Sequence, residues 1–326
     1  MDGLPDDFRL DTTGPTMTGH GYGPQRTLAA AISCVGIGLH TGRKVTLTLC
    51  PAPPDSGVVI RRTDLGIEVP ARYDHVIDTR LCTVLGLPEQ PDRVRVGTVE
   101  HIMAALAGCG VHNAGIELDA PEMPVLDGSS QDWVFLIDCA GIAEQDAPVV
   151  AIEVLRPVRV FNGEAYAELR PGMHGFRMSI SIDFKAVAIG RQSVSLRLGP
   201  AVFRTHLARA RTFALADEVE QLRAAGLARG GSLENAVVVD GARVLNPGGL
   251  RWPDEFARHK ALDVIGDLAL AGAVLHGRYL AHRPGHTLNN RLLRALFADA
   301  ANWRLATRAD TAGAWQSRLP AAAAAA

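Results

Sequence analysis

Residues 254–272 read DEFARHKALDVIGDLALAG, one helix by length and composition, with Ala, Leu, Val and Ile over most of its circumference. A helix apolar nearly all round is a buried helix. Yet His259, Asp263 and Asp267 recur in it at intervals of four, with Lys260 beside them. At about 100° per residue, positions i, i+4 and i+8 drift by only roughly 40° per step, so the three share an edge. On an exposed helix that edge is a solvated stripe with i, i+4 pairing. On a buried one, carboxylates need cations, metals or hydrogen bonds, and the edge demands partners from elsewhere in the chain.

His259 and Asp263 offer an imidazole and a carboxylate, both acceptable to a divalent transition metal, but two ligands are too few. The best third candidate lies in GTVEHIMAALAGCG, residues 97–110, where Thr98 is predicted to cap a helix whose first turn holds Glu100 and His101. Taken alone, Glu100 is a carboxylate favoured by a helix N-terminus, and His101 is an ordinary, partly buried histidine. Set against the other helix, Glu next to His is the pairing expected when one residue holds a metal and its neighbour handles the proton of a water. Two histidines and one aspartate leave a coordination position open, as catalytic sites do. A third cluster, RPGHTLNNRLL at 283–293, presents His286 on a Pro-Gly turn just before a helix. By itself it is a turn histidine. Held by a carboxylate such as Asp267, it becomes a cationic acid or oxyanion stabiliser, and Asp267 then falls outside the metal's ligands.

The 326 residues suffice for about two domains with real cores. With 47% apolar residues and a net charge of −2, the chain reads as globular rather than disordered. A pI near 6.6, without Lys/Arg runs interleaved with aromatics, argues against nucleic-acid binding. No apolar stretch is long enough to span a bilayer, and the acidic start MDGLPDDFRLD lacks the apolar run of a signal peptide; a cytoplasmic protein without integral membrane association is expected. The five scattered cysteines fit neither a disulfide framework nor a zinc finger. Only three of the 33 basic side chains are lysine, Lys260 among them.

Residues 1–25 are predicted to be a flexible extension and 306–326 a tail. Between them, strand segments followed by helices occur twice, which predicts an α+β fold of two similar domains, 26–147 and 148–305. Expected helices begin near Val99 and span about 130–140, 214–225 and 254–272. In the third, Leu215, Val219 and Leu222 form an i, i+4, i+7 stripe, which periodicity alone assigns to core packing.

The three clusters, in this order, resemble the zinc-dependent UDP-3-O-acyl-N-acetylglucosamine deacetylase family of lipid A biosynthesis. The likeness also runs through GIGLHTGRKVTLTLCPAP (36–53), RRTDL (61–65), LDGSS (126–130), ARTFALADEVEQLRAAGLARGGSLENAVVVD (210–240) and VLNPGGLRWPDEFARHKALDVIGDL (244–268). It implies two α+β domains, each a sheet with two helices, with the helices sandwiched between the sheets. It implies one Zn²⁺ per chain, with Fe²⁺ as a possible occupant in the cell, on His101, His259 and Asp263; Glu100 as base for the attacking water; and His286, oriented by Asp267, at the oxyanion and leaving amine. Lys260 would supply positive charge and the Thr212 hydroxyl would help polarise the carbonyl. A compact ammonium suits a tight pocket better than a guanidinium. An insert at about 212–231 would form a passage for the substrate's acyl chain, with Phe213 and Leu215 as contacts; Phe184 and Arg283 would meet the nucleotide. The implied partners are the UDP-3-O-acyl-N-acetylglucosamine substrate and water, for a monomeric enzyme. The chain departs from the family pattern at Ala214, often Gly, and after Phe184, where Lys185-Ala186-Val187 replace a frequent His-Pro. Two rival readings are a non-haem iron enzyme, since two histidines and a carboxylate also form a facial triad, and a non-catalytic sugar-nucleotide binder.

Overall fold

The structure, a computed structural model, describes residues 23–172 and 175–307. The predicted extension and tail lie outside the described residues except at their inner ends, and there the expectation is corrected. Pro24 opens strand β1 (Pro24–Leu28) and the Gln25 side chain is buried, while Ala306 closes the last strand. Hydrogen bonding to neighbouring chain, which composition does not register, draws both ends inward.

The fold is mixed α+β. A five-stranded sheet has the order β2-β3-β9-β4-β5, from β2 (Ile32–Ile37), β3 (Lys44–Pro51), β4 (Val58–Arg62), β5 (Ile67–Pro70) and β9 (Ala114–Leu118). The pattern of β3 explains its place: Val45, Leu47 and Leu49 are fully buried on one face and alternate with more exposed residues, the period-two signature of a half-covered strand. A small sheet joins β6 (Val76–Asp78), β7 (Val84–Gly86) and β8 (Arg95–Val96). Strand β10 (Ile142–Pro148) returns antiparallel to β1.

The seven-stranded sheet is organised by β19 (Val274–His282). Along one edge β19 pairs with β13 (Ala165–Arg170), which continues to β12 (Val158–Asn162). Along the other, its first half runs parallel to β11 (Ala151–Val154) and its second half parallel to β14 (Phe176–Asp183). β15 (Arg191–Arg197) and β20 (Trp303–Ala306) complete it, on β14 and β11. The remaining sheet, β16 (Phe213–Leu215), β17 (Val237–Asp240) and β18 (Arg243–Val244), is a small one of its own.

Of the helices, α1 (Glu100–Cys109) and α2 (Gln131–Ala140) belong to the first half of the chain. A short turn α3 (Pro200–Val202) runs into a π-helical turn, Phe203–Leu207, and α4 (Ala216–Ala224) follows β16. The long helix α5 (Glu255–Ala269) and α6 (His286–Phe297) pack on the seven-stranded sheet, α5 against β14 and β15 and α6 against β12 and β13. The principal helix–helix contact is α1 against α5. At their crossing the helix backbones nearly touch: Gly266 of α5 faces the backbone of Glu100 with no room for a methyl group. Small residues on both sides, Ala104 and Ala105 on α1 and Ala261 on α5, are fully buried, which lets the axes approach. None of the helices among the described residues is long and apolar enough to cross a membrane.

Two local expectations change. Thr98 does not cap α1. Its hydroxyl donates to Glu122 Oε1 at 3.1 Å from a left-handed backbone position (φ 57°), and Val99 takes the N-cap place. The Leu215-Val219-Leu222 stripe is core packing only at Leu215, which packs against the core: α4 buries none of its residues, and Val219 and Leu222 line a cleft.

Candidate active site

The α1–α5 crossing brings the two predicted clusters together. All of α5 from Glu255 to Leu268 is buried except Lys260, so its acidic edge faces protein. His259 Nε2 lies 3.2 Å from Asp263 Oδ1, and His101 Nε2, from the first turn of α1, lies 3.7 Å from the same oxygen. The two imidazoles stand edge to face with ring centroids 5.1 Å apart. One ligand atom from each of the three residues falls within 4.8 Å of the others.

Several features suit this trio to a cation. Asp263 Oδ1 is buried without a hydrogen-bond partner, an arrangement that costs free energy unless something positive sits against it. His259 Nδ1 donates to the Ala210 carbonyl at 3.0 Å, which fixes the tautomer and leaves Nε2 with its lone pair toward Asp263. Burial, with His259 close by, lowers His101 to about 3, and burial lowers His259 against the pull of Asp263. Both rings are therefore neutral donors of the kind a metal needs. Burial works to protonate Asp263, but His259 beside it and the Lys260 ammonium outweigh this and hold the carboxyl well below the ordinary range. Lys260 Nζ donates to Asp263 Oδ2 at 2.9 Å and stands 5.4 Å from the centre of the Phe213 ring. Burial lowers its pKa, yet Asp263 prevails and the net shift is upward; the ammonium keeps its charge.

A second network adjoins the first. Asp267 does not join the trio. Its Oδ1 accepts from the Thr83 hydroxyl at 2.6 Å, and its Oδ2 from His286 Nδ1 at 2.9 Å and Asn289 Nδ2 at 2.8 Å. Tyr279 Oη donates to Asn289 Oδ1 at 2.6 Å and so fixes the amide. Gly285, in extended backbone, is the N-cap of α6, which makes His286 the first residue of that helix rather than one preceding it. Burial disfavours the imidazolium, but Asp267 and Glu100 overcome this and raise His286 to about 10. Its Nε2 is 3.8 Å from Glu100 Oε1, while Glu100 Oε2 accepts the Thr83 N–H at 3.1 Å. Burial, offset in part by His286 and reinforced by Asp267 and Asp263, pushes Glu100 up to about 7. A carboxylate poised near neutrality beside a fixed imidazolium is a base and acid pair with separated proton affinities.

Above these groups opens a cleft of about 920 Å³, lined by Thr212, Phe213, Lys260, Arg283, His286 and, from α4, Val219 and Leu222. The Thr212 backbone is pinned by its N–H to the Gly128 carbonyl (2.7 Å) and by Val237 N–H to its own carbonyl (2.8 Å). Arg283 pairs with Glu164 at 3.3 Å and Asp183 at 3.4 Å. Phe184 is set back: its ring packs on Phe213, centroids 5.5 Å apart. Leu215 packs against the core and does not line the cleft. The sequence reading missed Thr83 and Tyr279, which no periodicity marks. The doubled Asn after His286 was the available signal for Asn289.

Comparison with known proteins gives a consistent picture. The family described as UDP-3-O-acyl N-acetylglycosamine deacetylase matches residues 25–298. A UDP-3-O-acyl-N-acetylglucosamine deacetylase of Myxococcus xanthus is 50% identical over 277 residues, 84% of this chain and 87% of that protein. The enzymes of the same name from Shewanella baltica (strain OS155) and Shewanella oneidensis are 48% and 47% identical, each over 86% of this chain and 92% of theirs.

Proposed function

The chain belongs to the UDP-3-O-acyl-N-acetylglucosamine deacetylases, and from that premise we propose that it hydrolyses the acetamide of UDP-3-O-acyl-N-acetylglucosamine, releasing acetate in lipid A biosynthesis, with Zn²⁺ on His101, His259 and Asp263. The family is metal-dependent; zinc as the metal is our assignment, supported by two neutral imidazoles and one carboxylate around a common point. The observation that carries the reading is the unpartnered, buried Asp263 Oδ1 between two imidazole nitrogens. A divalent ion held there supplies Lewis acidity, bringing the pKa of a water to about 7 and polarising the amide carbonyl.

The protein's own groups do the rest. Glu100 takes a proton from the attacking water as the water's oxygen bonds to the acetamide carbon. His286, protonated and held through Nδ1 by Asp267, aims its Nε2–H into the space beside Glu100; there it meets the developing oxyanion and then gives its proton to the amine as the C–N bond breaks. Thr212, with its backbone fixed on two sides, offers a hydroxyl to the carbonyl oxygen, and Lys260 adds positive charge at the floor of the cleft. The cleft beside α4 takes the acyl chain against Phe213, Val219 and Leu222, and Arg283, which also lines it, meets the nucleotide; Phe184 reaches the uridine across Phe213, and Leu215 supports the passage from behind. With all of these groups on one chain, the enzyme is read as acting as a monomer in the cytoplasm. Intact Glu100 and His286 favour hydrolysis over mere binding. Metal analysis of purified protein alongside acetate release from the UDP-sugar tests the proposal: one zinc per chain with stoichiometric acetate is expected, and metal-free protein that deacetylates at full rate refutes it.

A further inference from the structure

A second cavity, of about 460 Å³, shares no lining residue with the cleft. Its walls include Met103 and Leu106 of α1 and Ile265 and Leu268 of α5, the two helices that carry the reacting groups, together with Phe176 and Leu198. The volume falls within the range of small-molecule sites, roughly 300–1,000 Å³. At roughly 30 Å³ per water-sized group it has room for about fifteen heavy atoms.

Its polar rim discriminates by charge. Gln25, Asp55, His112 and Asn113 stand there, and most of their capacity is spent. Gln25 Nε2 donates to Asp55 Oδ1 at 2.6 Å, Asn113 Nδ2 donates to Gln25 Oε1 at 2.8 Å, and Asn113 Oδ1 accepts the Gly57 N–H at 2.8 Å. His112 Nδ1 accepts the Arg26 N–H at 3.0 Å, so the ring is neutral and its Nε2–H remains to donate. Neither lysine nor arginine is among the described residues that line the cavity. A carboxylate or phosphate head would face Asp55, while Arg26, whose guanidinium stands near Gly110 on the rim, is already paired with Glu144 at 3.2 Å; desolvating the head would cost free energy. An aliphatic body with an uncharged acceptor is the chemistry left.

We propose that this cavity is a second ligand site, taking the aliphatic chain of an uncharged amphiphile whose hydroxyl or carbonyl head accepts from His112, separate from the cleft in which the amide is cleaved. The occupant bridges α1 and α5: Met103 and Leu106 lie within two turns of Glu100, and Ile265 and Leu268 flank Asp267 along the helix. A ligand that binds only the folded protein raises its melting temperature saturably. With 1-decanol as probe on the metal-loaded enzyme, a saturable rise is expected, decanoate at equal concentration gives none, and saturating UDP-3-O-acyl substrate leaves the rise in place. Ala107→Trp and Ala273→Phe, which fill the cavity from different sides, each abolish it. Independently of either variant, nuclear Overhauser contacts from decanol to the Met103 and Leu106 methyl groups are expected. Absence of any decanol effect, an equal response to decanoate, displacement by substrate, persistence in the folded filling variants, or contacts to Leu222 in place of Met103 would each overturn the proposal.

Discussion

Gly266→Ala isolates the role of the α1–α5 crossing. In an ordinary helix interior, replacing Gly by Ala stabilises by about 1 kcal/mol. Here the new methyl would land on the Glu100 carbonyl oxygen and stand 2.7 Å from its carbonyl carbon and 2.9 Å from its Cα. Carbon pairs rest at roughly 3.5–4.0 Å, so the helices must separate by about 1 Å, and the obstacle is backbone that no rotamer change can move aside. Overpacking of this kind costs about 1–3 kcal/mol, enough to cancel the propensity gain and lower the melting temperature by a few degrees. The larger consequence is geometric. The displaced residue is Glu100 itself, with His101 next to it, while His259, Asp263 and Asp267 stay on the other helix. A misplacement of about 1 Å costs on the order of 10²-fold in rate. We expect kcat/KM on UDP-3-O-acyl-N-acetylglucosamine to fall by about 10², with faster loss of metal to a chelator. Gly248→Ala, at a glycine with nothing within 4 Å of the added methyl, serves as control and should match wild type. Wild-type turnover and metal retention in Gly266→Ala would refute the claim that this contact sets the site.

Other expectations follow from the two networks. Glu100→Ala and His286→Ala should each retain one metal per chain yet lose about 10²- to 10⁴-fold in kcat, the usual contribution of a proton-transfer group; near-normal turnover in either would remove its assigned role. His259→Ala should lose the metal itself, seen as substoichiometric metal after gel filtration, because the remaining imidazole and carboxylate are too few to hold it. The pH profile of kcat/KM should be a bell. Glu100, raised to about 7 by burial, must be ionised, so activity falls as pH drops through that region; His286, held up to about 10, must be protonated, so activity falls again above it. Asp267→Asn removes the foremost charge that raises His286, so the alkaline limb should move to lower pH; an unmoved limb would sever Asp267 from His286.

The column His259, Asp263, Asp267 was legible because helical periodicity is local: four-residue spacing in an apolar stretch puts ionisable groups on a buried edge whatever the rest of the chain does. The same holds for the alternating pattern of β3. Glu100 and His101 were legible as a pair, and His286 as a turn histidine, but each alone had an ordinary explanation, and only their joint occurrence in family order raised them above it. Local pattern misled at a hydroxyl and along part of an apolar stripe: Thr98 turns to Glu122, and Val219 and Leu222 line a cleft while Leu215 packs on the core.

What the sequence determined by itself was the chemical inventory, two imidazoles, three carboxylates and an ammonium on helices too apolar to be exposed, together with the α+β character of the chain. The tertiary structure decided how the inventory divides. His259 and Asp263 face His101, whereas Asp267, on the same edge one turn further along, is claimed by Thr83, Asn289 and His286. Helix geometry places side chains on an edge but cannot say which partner reaches them first. That depends on a crossing close enough to exclude a methyl group, and on strand β19 carrying Tyr279 to the Asn289 amide, contacts between separate elements that no local period encodes.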